Sequence, residues 1–291
     1  MYYTSLHSNI QKKATMPYAT ISAAQKAQYD RDGYLIVKNF LSDEEVKVLY
    51  GLATGDDTMK DHAFDLNDQS GKKTRLTLWF TPGDDTFGLL TRTERMVNGA
   101  KALLGEGEVC HFHSKLMQKE PKVGGAWEVH QDYGYWYKNG FLFPDAMLSI
   151  MIALTIANKE NGCLQVLKGS HKMGRIEHSF AGEQQGADQD FVDEAMKIFE
   201  RVYVELEPGD ALFFHSNLLH MSEANLSDKP RWSLISCYNM SYNKPFREKN
   251  TSCITPVSVV PDEILLSASV KSLSSGTDFL SKEKEITLNV K

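Results

Sequence analysis

The half of the chain beyond about residue 108 constrains its fold most. Short apolar runs rich in β-branched and aromatic residues alternate there with turn-forming clusters, a pattern of strands rather than helices. It predicts strands at 109–119, 126–132, 147–156, 163–167, 201–206, 211–215 and 231–240, with a loop and a short helix over 184–199. Spacing of this kind argues for a two-sheet roll or barrel. The most apolar run, Ala146–Ile156 (AMLSIMIALTI), falls well short of the roughly 20 residues that span a membrane.

The first hundred residues read differently. Residues 1–20 carry no period and predict a flexible arm. Residues 22–32 predict a helix with Ser22 as its N-cap and Gly33 as its stop. Tyr34–Val37 reads as a strand. Ser42 and Glu45 make a capping box that opens a second helix, along which Val46, Leu49 and Leu52 form an apolar stripe. The polar stretch 54–75 predicts a surface loop or flap, and 91–103 a helix ending at Gly105. Residues 256–291, Ser/Lys-rich near the end, predict a loosely packed tail or one folded over the barrel. The expectation is a mainly β fold with flanking helices, one domain over 21–255, and a C-terminal extension over 256–291.

With 291 residues, 42% of them hydrophobic, the chain can build one large core. The net charge of −6 and the lack of any basic run of five argue against a nucleic-acid partner and suit a small-molecule one. Cys110, Cys163, Cys237 and Cys253 form no C-x-x-C pair, and no continuous apolar leader region precedes them. They predict reduced thiols in an intracellular, cytoplasmic protein. On that reading the glycosylation-like triplets at Asn225, Asn239 and Asn250 are chance matches.

The strongest chemical signal is His130-Gln131-Asp132. Side chains at i and i+2 of a strand share a face, so one imidazole and one carboxylate can reach a common point. His220, after a strand and a short turn, supplies a candidate third ligand. Two nitrogens and one oxygen on one face of an octahedron leave three positions open, as an oxygen-activating iron requires. A 2-oxo diacid would take two of them and O2 the third. Arg231, 11 residues after His220, can grip the far carboxylate of such a diacid with its planar fork, and Ser233 points the same way. Other histidines compete: His111 and His113 form a cupin-like i, i+2 pair, and His215 and His171 lie nearby in sequence. None has a carboxylate at strand spacing.

Four ordered segments carry a family resemblance: YDRDGYLIVKNFLSDEEV, LMQKEPKVGGAWEVHQDYGYW, NGCLQVLKGSHKMG and EPGDALFFHSNLLHMSEANLSDKPRWSLISCY. Over roughly residues 28–245 the chain resembles the phytanoyl-CoA dioxygenase family of 2-oxoglutarate-dependent oxygenases. The resemblance implies a double-stranded β-helix, or jelly roll, that requires iron(II), 2-oxoglutarate and O2. It makes His130, Asp132 and His220 the iron ligands and Arg231, with Ser233, the 2-oxoglutarate anchor. Related halogenases lack the carboxylate, so Asp132 favours hydroxylation or desaturation. Likeness to the ectoine hydroxylases implies that His113 and Lys115 face the site and that Trp136 contacts substrate. Gln118, on the other face of that strand from Lys115, is a further cofactor candidate, and Tyr133 and Tyr135, which follow Asp132 closely, are further substrate candidates beside Lys115 and Trp136. Pattern alone leaves open which face of strand 109–119 meets the metal. The 54–75 loop and the 178–195 insertion are expected to shape the pocket. Desaturation, epimerisation or cyclisation, a cupin-type isomerase or hydrolase, and a non-catalytic 2-oxoglutarate sensor stand as alternatives to a hydroxylase.

Overall fold

A computed structural model describes residues 20–247, 254–274 and 276–282. The arm expected over 1–20, apart from residue 20, lies outside them, as do Asn250 and Cys253.

The N-terminal elements follow their local signals. Helix α1 (Ala23–Asp32) is capped by Ser22, which forms a reciprocal box with Gln25, and stops at Gly33 in the left-handed conformation, φ 81°. Strand β1 (Tyr34–Val37) leads to helix α2 (Asp43–Gly55), opened by the Ser42–Glu45 box. The expected loop at 54–75 is instead structured. It holds the end of α2, helix α3 (Asp57–Asp61), strand β2 (Phe64–Asn67) and the start of strand β3 (Lys73–Trp79). The strands are short and their outer residues polar, so their period was masked. The helix expected over 91–103 is two: α4 (Thr86–Arg92) and α5 (Glu94–Leu104), broken by the extended backbone of Thr93.

The β-rich region then runs as β4 (Val109–Lys119), β5 (Trp127–His130), β6 (Met147–Ala153), β7 (Leu164–Leu167), β8 (His178–Ala181), β9 (Gln184–Ala187), β10 (Arg201–Tyr203), β11 (Ala211–His215), β12 (His220–Ser222), β13 (Arg231–Met240) and β14 (Thr255–Pro256). Helices α6 (Asp132–Trp136), α7 (Gln189–Ile198) and α8 (Ile264–Ser267) interrupt it. The 184–199 segment is thus a strand followed by a helix rather than a loop and helix. The run 126–132 is a strand only to His130; Asp132 is the first residue of α6.

The strands form a large antiparallel sheet in the order β1-β11-β6-β13-β4-β3-β2, with β14 on β4, and a smaller antiparallel sheet β10-β7-β12-β5; β8 and β9 pair as a hairpin. The central strands of the large sheet are buried on both faces, which accounts for a run in β6 that is apolar at every position but Ser149. Leu148, Ile150 and Ile152 join Leu234 and Phe213 in a core under the flanking helices. Met147, Met151 and Ala153 join Ile235, Cys237, Leu164 and Val166 in a second core between the sheets.

Of the two expectations for the C-terminal extension, the described residues from 256 on follow the second and fold over the domain rather than packing loosely. Leu265, Leu273 and Leu280 are buried, and Asp262 accepts hydrogen bonds from the backbone N–H and side chain of buried Arg95. Cys110, Cys163 and Cys237 are buried free thiols. Among the described residues, no helix is long and apolar enough to cross a membrane.

Candidate metal centre

Strands β5 and β12 pair so that His130 lies directly opposite His220. Gln131 then breaks the strand. Its side-chain amide donates to the carbonyls of Gly174 and Asn217 and accepts from the Ile176 N–H, so the chain turns into α6 at a fixed place. That turn carries Asp132 to the same point as the two imidazoles. The ligand atoms of His130, Asp132 and His220 all lie within 4.8 Å of one another, and all three residues are buried. Each imidazole Nε2 is 3.9 Å from Asp132 Oδ1.

The tautomers are set by backbone. His130 Nδ1 is 2.7 Å from the Glu128 carbonyl and His220 Nδ1 is 2.9 Å from that of Leu218. A carbonyl only accepts, so each Nδ1 carries the proton and each Nε2 presents its lone pair to the centre. Burial holds both imidazoles below their usual pKa, which keeps them neutral. Burial alone would raise the Asp132 carboxyl, but Lys115, His220 and the Ser149 hydroxyl outweigh it and hold it low. Two neutral nitrogens and one carboxylate converging in a buried pocket fit iron(II) ligation.

The competing histidines are spent elsewhere. A bulge in the β4–β13 register separates His111 from His113, and His111 bonds the Phe80 carbonyl and Ser114 Oγ, both at 2.9 Å. His215 is held by Asp145 and by the Asn217 N–H, and His171 by the Asp30 carbonyl. No cupin-like pair forms.

Strand parity decides the remaining residues. Arg231, Ser233, Ile235 and Cys237 on β13 stand beside Lys119, Met117, Lys115 and His113 on β4, and this row faces the inter-sheet core. Arg231 is buried, and no carboxylate of the described residues lies within 4 Å of it. Burial lowers its pKa to about 10, so it stays charged at neutral pH. Its Nε and the Ser233 hydroxyl have no hydrogen-bond partner. A buried cation and a buried hydroxyl left open on one face make a site for an anion.

His113, Lys115, Tyr135 and Trp136 line the cavity beside the triad. Gln118 does not. It pairs with Trp232 on the opposite face of β4 and borders a separate surface groove, because an even-numbered residue cannot share the face of His113 and Lys115. Tyr133 also points away. It is buried on the far side of α6 with its hydroxyl on the Phe141 carbonyl at 3.0 Å.

Residues not singled out in the sequence complete the site. His178 Nε2 accepts the Gln131 N–H at 2.9 Å, and its ring packs against Gly134, where an added Cβ would lie 2.1 Å from the ring. The glycine inside an aromatic run was the available signal. Leu66, Leu76 and Leu78 from β2 and β3, and Glu183, Gln184 and Gln185 from the β8–β9 hairpin, supply the outer walls. The 54–75 and 178–195 segments therefore do border the cavity.

Two antiparallel sheets enclosing a His-Asp-His cluster and an unpaired arginine define a mononuclear metal-dependent oxygenase. The sequence profile of the phytanoyl-CoA dioxygenase family matches residues 29–233, and the chain belongs to that family. It is 28% identical over 236 residues to L-proline trans-4-hydroxylase of Streptomyces griseoviridis, covering 76% of this chain and 87% of that one. It is 27% identical over 245 residues to the ectoine dioxygenase of Bordetella parapertussis, covering 77% of each. Among solved structures it matches EctD from S. alaskensis in its apoform with a TM-score of 0.67 at 25% identity, over 84% of this chain and 89% of that one. The fold is also shared with the carbocyclase SnoK from nogalamycin biosynthesis, TM-score 0.61 at 22% identity, over 84% of this chain and 94% of that one.

Proposed function

We propose that this protein is an iron(II)/2-oxoglutarate-dependent dioxygenase that hydroxylates an unactivated C–H bond of a small metabolite, with release of succinate and CO2. The observation that carries this is the convergence of His130, Asp132 and His220 in a fold that also buries the unpaired Arg231. Iron(II), when bound, supplies O2 activation coupled to oxidative decarboxylation of 2-oxoglutarate.

The chain's own groups do the rest. His130, Asp132 and His220 would hold the metal through two neutral nitrogens and one carboxylate oxygen. Arg231 and Ser233 orient the far carboxylate of 2-oxoglutarate, and His113 borders the cofactor. Lys115, Tyr135 and Trp136 position substrate, and the apolar walls from β2 and β3 exclude water from the reacting carbon. The two sheets are read as a double-stranded β-helix, built as one domain over 21–255 in a cytoplasmic protein that acts without nucleic-acid or membrane partners.

A named relative that is an L-proline hydroxylase and others that are ectoine dioxygenases favour hydroxylation over desaturation, epimerisation or cyclisation. The complete triad favours turnover over a silent sensor. An isomerase or hydrolase would leave Arg231 buried without a counter-ion. The test is succinate release by the iron-loaded protein across a panel of amino acids, organic acids and CoA esters, with product mass. Hydroxylation adds one oxygen atom to the product. Asp132→Ala should abolish succinate formation, and full turnover in that variant would remove this reading.

A further inference from the structure

The C-terminal segment returns to the mouth of the cavity, 45 residues or more beyond the end of the family match at 233. Three sets of contacts hold it there. The Leu280 N–H donates to the Leu78 carbonyl at 2.9 Å, and Phe279 bridges Trp79 in antiparallel register. The Asp278 carboxylate accepts from the Thr81 N–H at 2.9 Å and the Thr81 hydroxyl at 2.7 Å, while Phe279 stacks on His62 at 4.0 Å. Lys282 Nζ reaches both carboxylate oxygens of Glu183, at 3.0 and 2.9 Å, on the hairpin that forms the facing wall. The result is that Leu280, 5% exposed, lines the cavity with Leu66, Leu76 and Leu78.

The charges of the cavity are uneven. Glu183 is neutralised by Lys282, and Lys138 donates to the His178 carbonyl and pairs with Glu177. Lys115 shares the cavity with Asp132, whose carboxyl it helps to hold low, and no carboxylate of the described residues lies within 4 Å of Lys115. The cavity therefore offers a cation, two residues of the triad and four leucines on one lining.

We infer that Leu280 is a specificity-determining residue, and that the substrate is an organic anion whose charged end meets Lys115 while its apolar body rests on Leu66, Leu76, Leu78 and Leu280. This rests on the oxygenase reading above and names its substrate class. A leucine wall selects by length and bulk, because each methylene buried against it strengthens binding and each one too many must displace a side chain.

The experiment is calorimetric titration of straight-chain carboxylates of four to twelve carbons into full-length protein, held anaerobically with iron(II) and 2-oxoglutarate. Succinate release is measured in parallel under air. In the wild type, affinity should rise with chain length to an optimum. Leu280→Ala should weaken the best-fitting acid about 10-fold and move the optimum to longer chains, and Leu280→Trp should move it to shorter ones. Leu280→Met, close in volume, should restore the wild-type profile and guards against simple unfolding. Lys115→Met should remove the preference for octanoate over octanamide. A profile unmoved by residue 280, or equal binding of acid and amide in the wild type, overturns the inference. A profile that moves with residue 280 while no succinate forms would keep the wall and remove the oxygenase reading.

Discussion

Ser149 on β6 donates its hydroxyl to Asp132 Oδ2 at 2.8 Å, which leaves Oδ1 as the oxygen that faces both imidazoles. The bond crosses from the large sheet to the metal-bearing turn. It makes Asp132 a one-oxygen ligand with a fixed orientation, and Ser149 a positioning residue. Partners of this kind typically set metal affinity by 10- to 100-fold. Ser149→Ala should weaken iron(II) binding by roughly that factor, read by competition with a chelator, while the far-UV spectrum stays unchanged. An unaltered dissociation constant would show that the carboxylate orients itself.

Arg231 is buried, its Nε has no hydrogen-bond partner, and 2-oxoglutarate is the counter-ion proposed for it. Removing such a charge relieves a desolvation penalty. Arg231→Met should therefore be more stable than the wild type by about 1–3 kcal/mol in the absence of 2-oxoglutarate. It should also lose the stabilisation that 2-oxoglutarate gives the wild type. Thermal unfolding with and without the diacid checks both halves; a variant still stabilised by 2-oxoglutarate places the anion elsewhere.

Gly134 lets α6 lie against the His178 ring, which in turn holds the Gln131 N–H between two metal ligands. Any side chain at 134 must push the helix or the imidazole away. Gly134→Ala should cost more than about 2 kcal/mol in urea unfolding and release iron. His178→Asn, which can still accept the N–H, should retain more metal than His178→Leu.

Several buried histidines couple stability to pH. Burial holds His111 and His178 at about 4, and also lowers His113, His130 and His220. Above about pH 6.5 these groups are neutral in both folded and unfolded chains, so their contribution is fully present. As pH falls below 6.5 the unfolded chain takes up protons that the folded protein refuses. Stability is lost from there down to the folded pKa, at up to about 1.4 kcal/mol per histidine per pH unit. Unfolding free energies of the metal-free protein should match at pH 8 and 7, then drop by at least about 2 kcal/mol between pH 6.5 and 5.5. A flat profile would mean that solvent reaches these rings.

Arg95 joins three distant segments. Its guanidinium pairs with Glu45 on α2 and with Asp262 ahead of α8, and donates to the Phe40 carbonyl. Glu45→Ala would leave this buried cation under-compensated and remove half of the Ser42 capping box, for a loss of about 3–5 kcal/mol. Chemical denaturation tests it, and a loss below 1 kcal/mol would mean that Asp262 alone suffices.

Much of this was written locally. Capping residues placed α1 and α2, β-branched runs placed β4, β11 and β13 to the residue, and the tripeptide at 130–132 with His220 picked out the groups that converge. Period and capping depend on neighbours a few residues apart, so a sequence displays them directly. Tertiary structure alone decided which face of β4 looks inward, and with it that Gln118 stands outside while Lys115 lines the cavity. Alternation labels two faces but not which of them a second sheet will cover. The same holds for Tyr133, for the Ser149–Asp132 bond and for Leu280 at the cavity mouth. Each depends on a partner brought close by packing of distant segments, and no spacing along the chain records that distance.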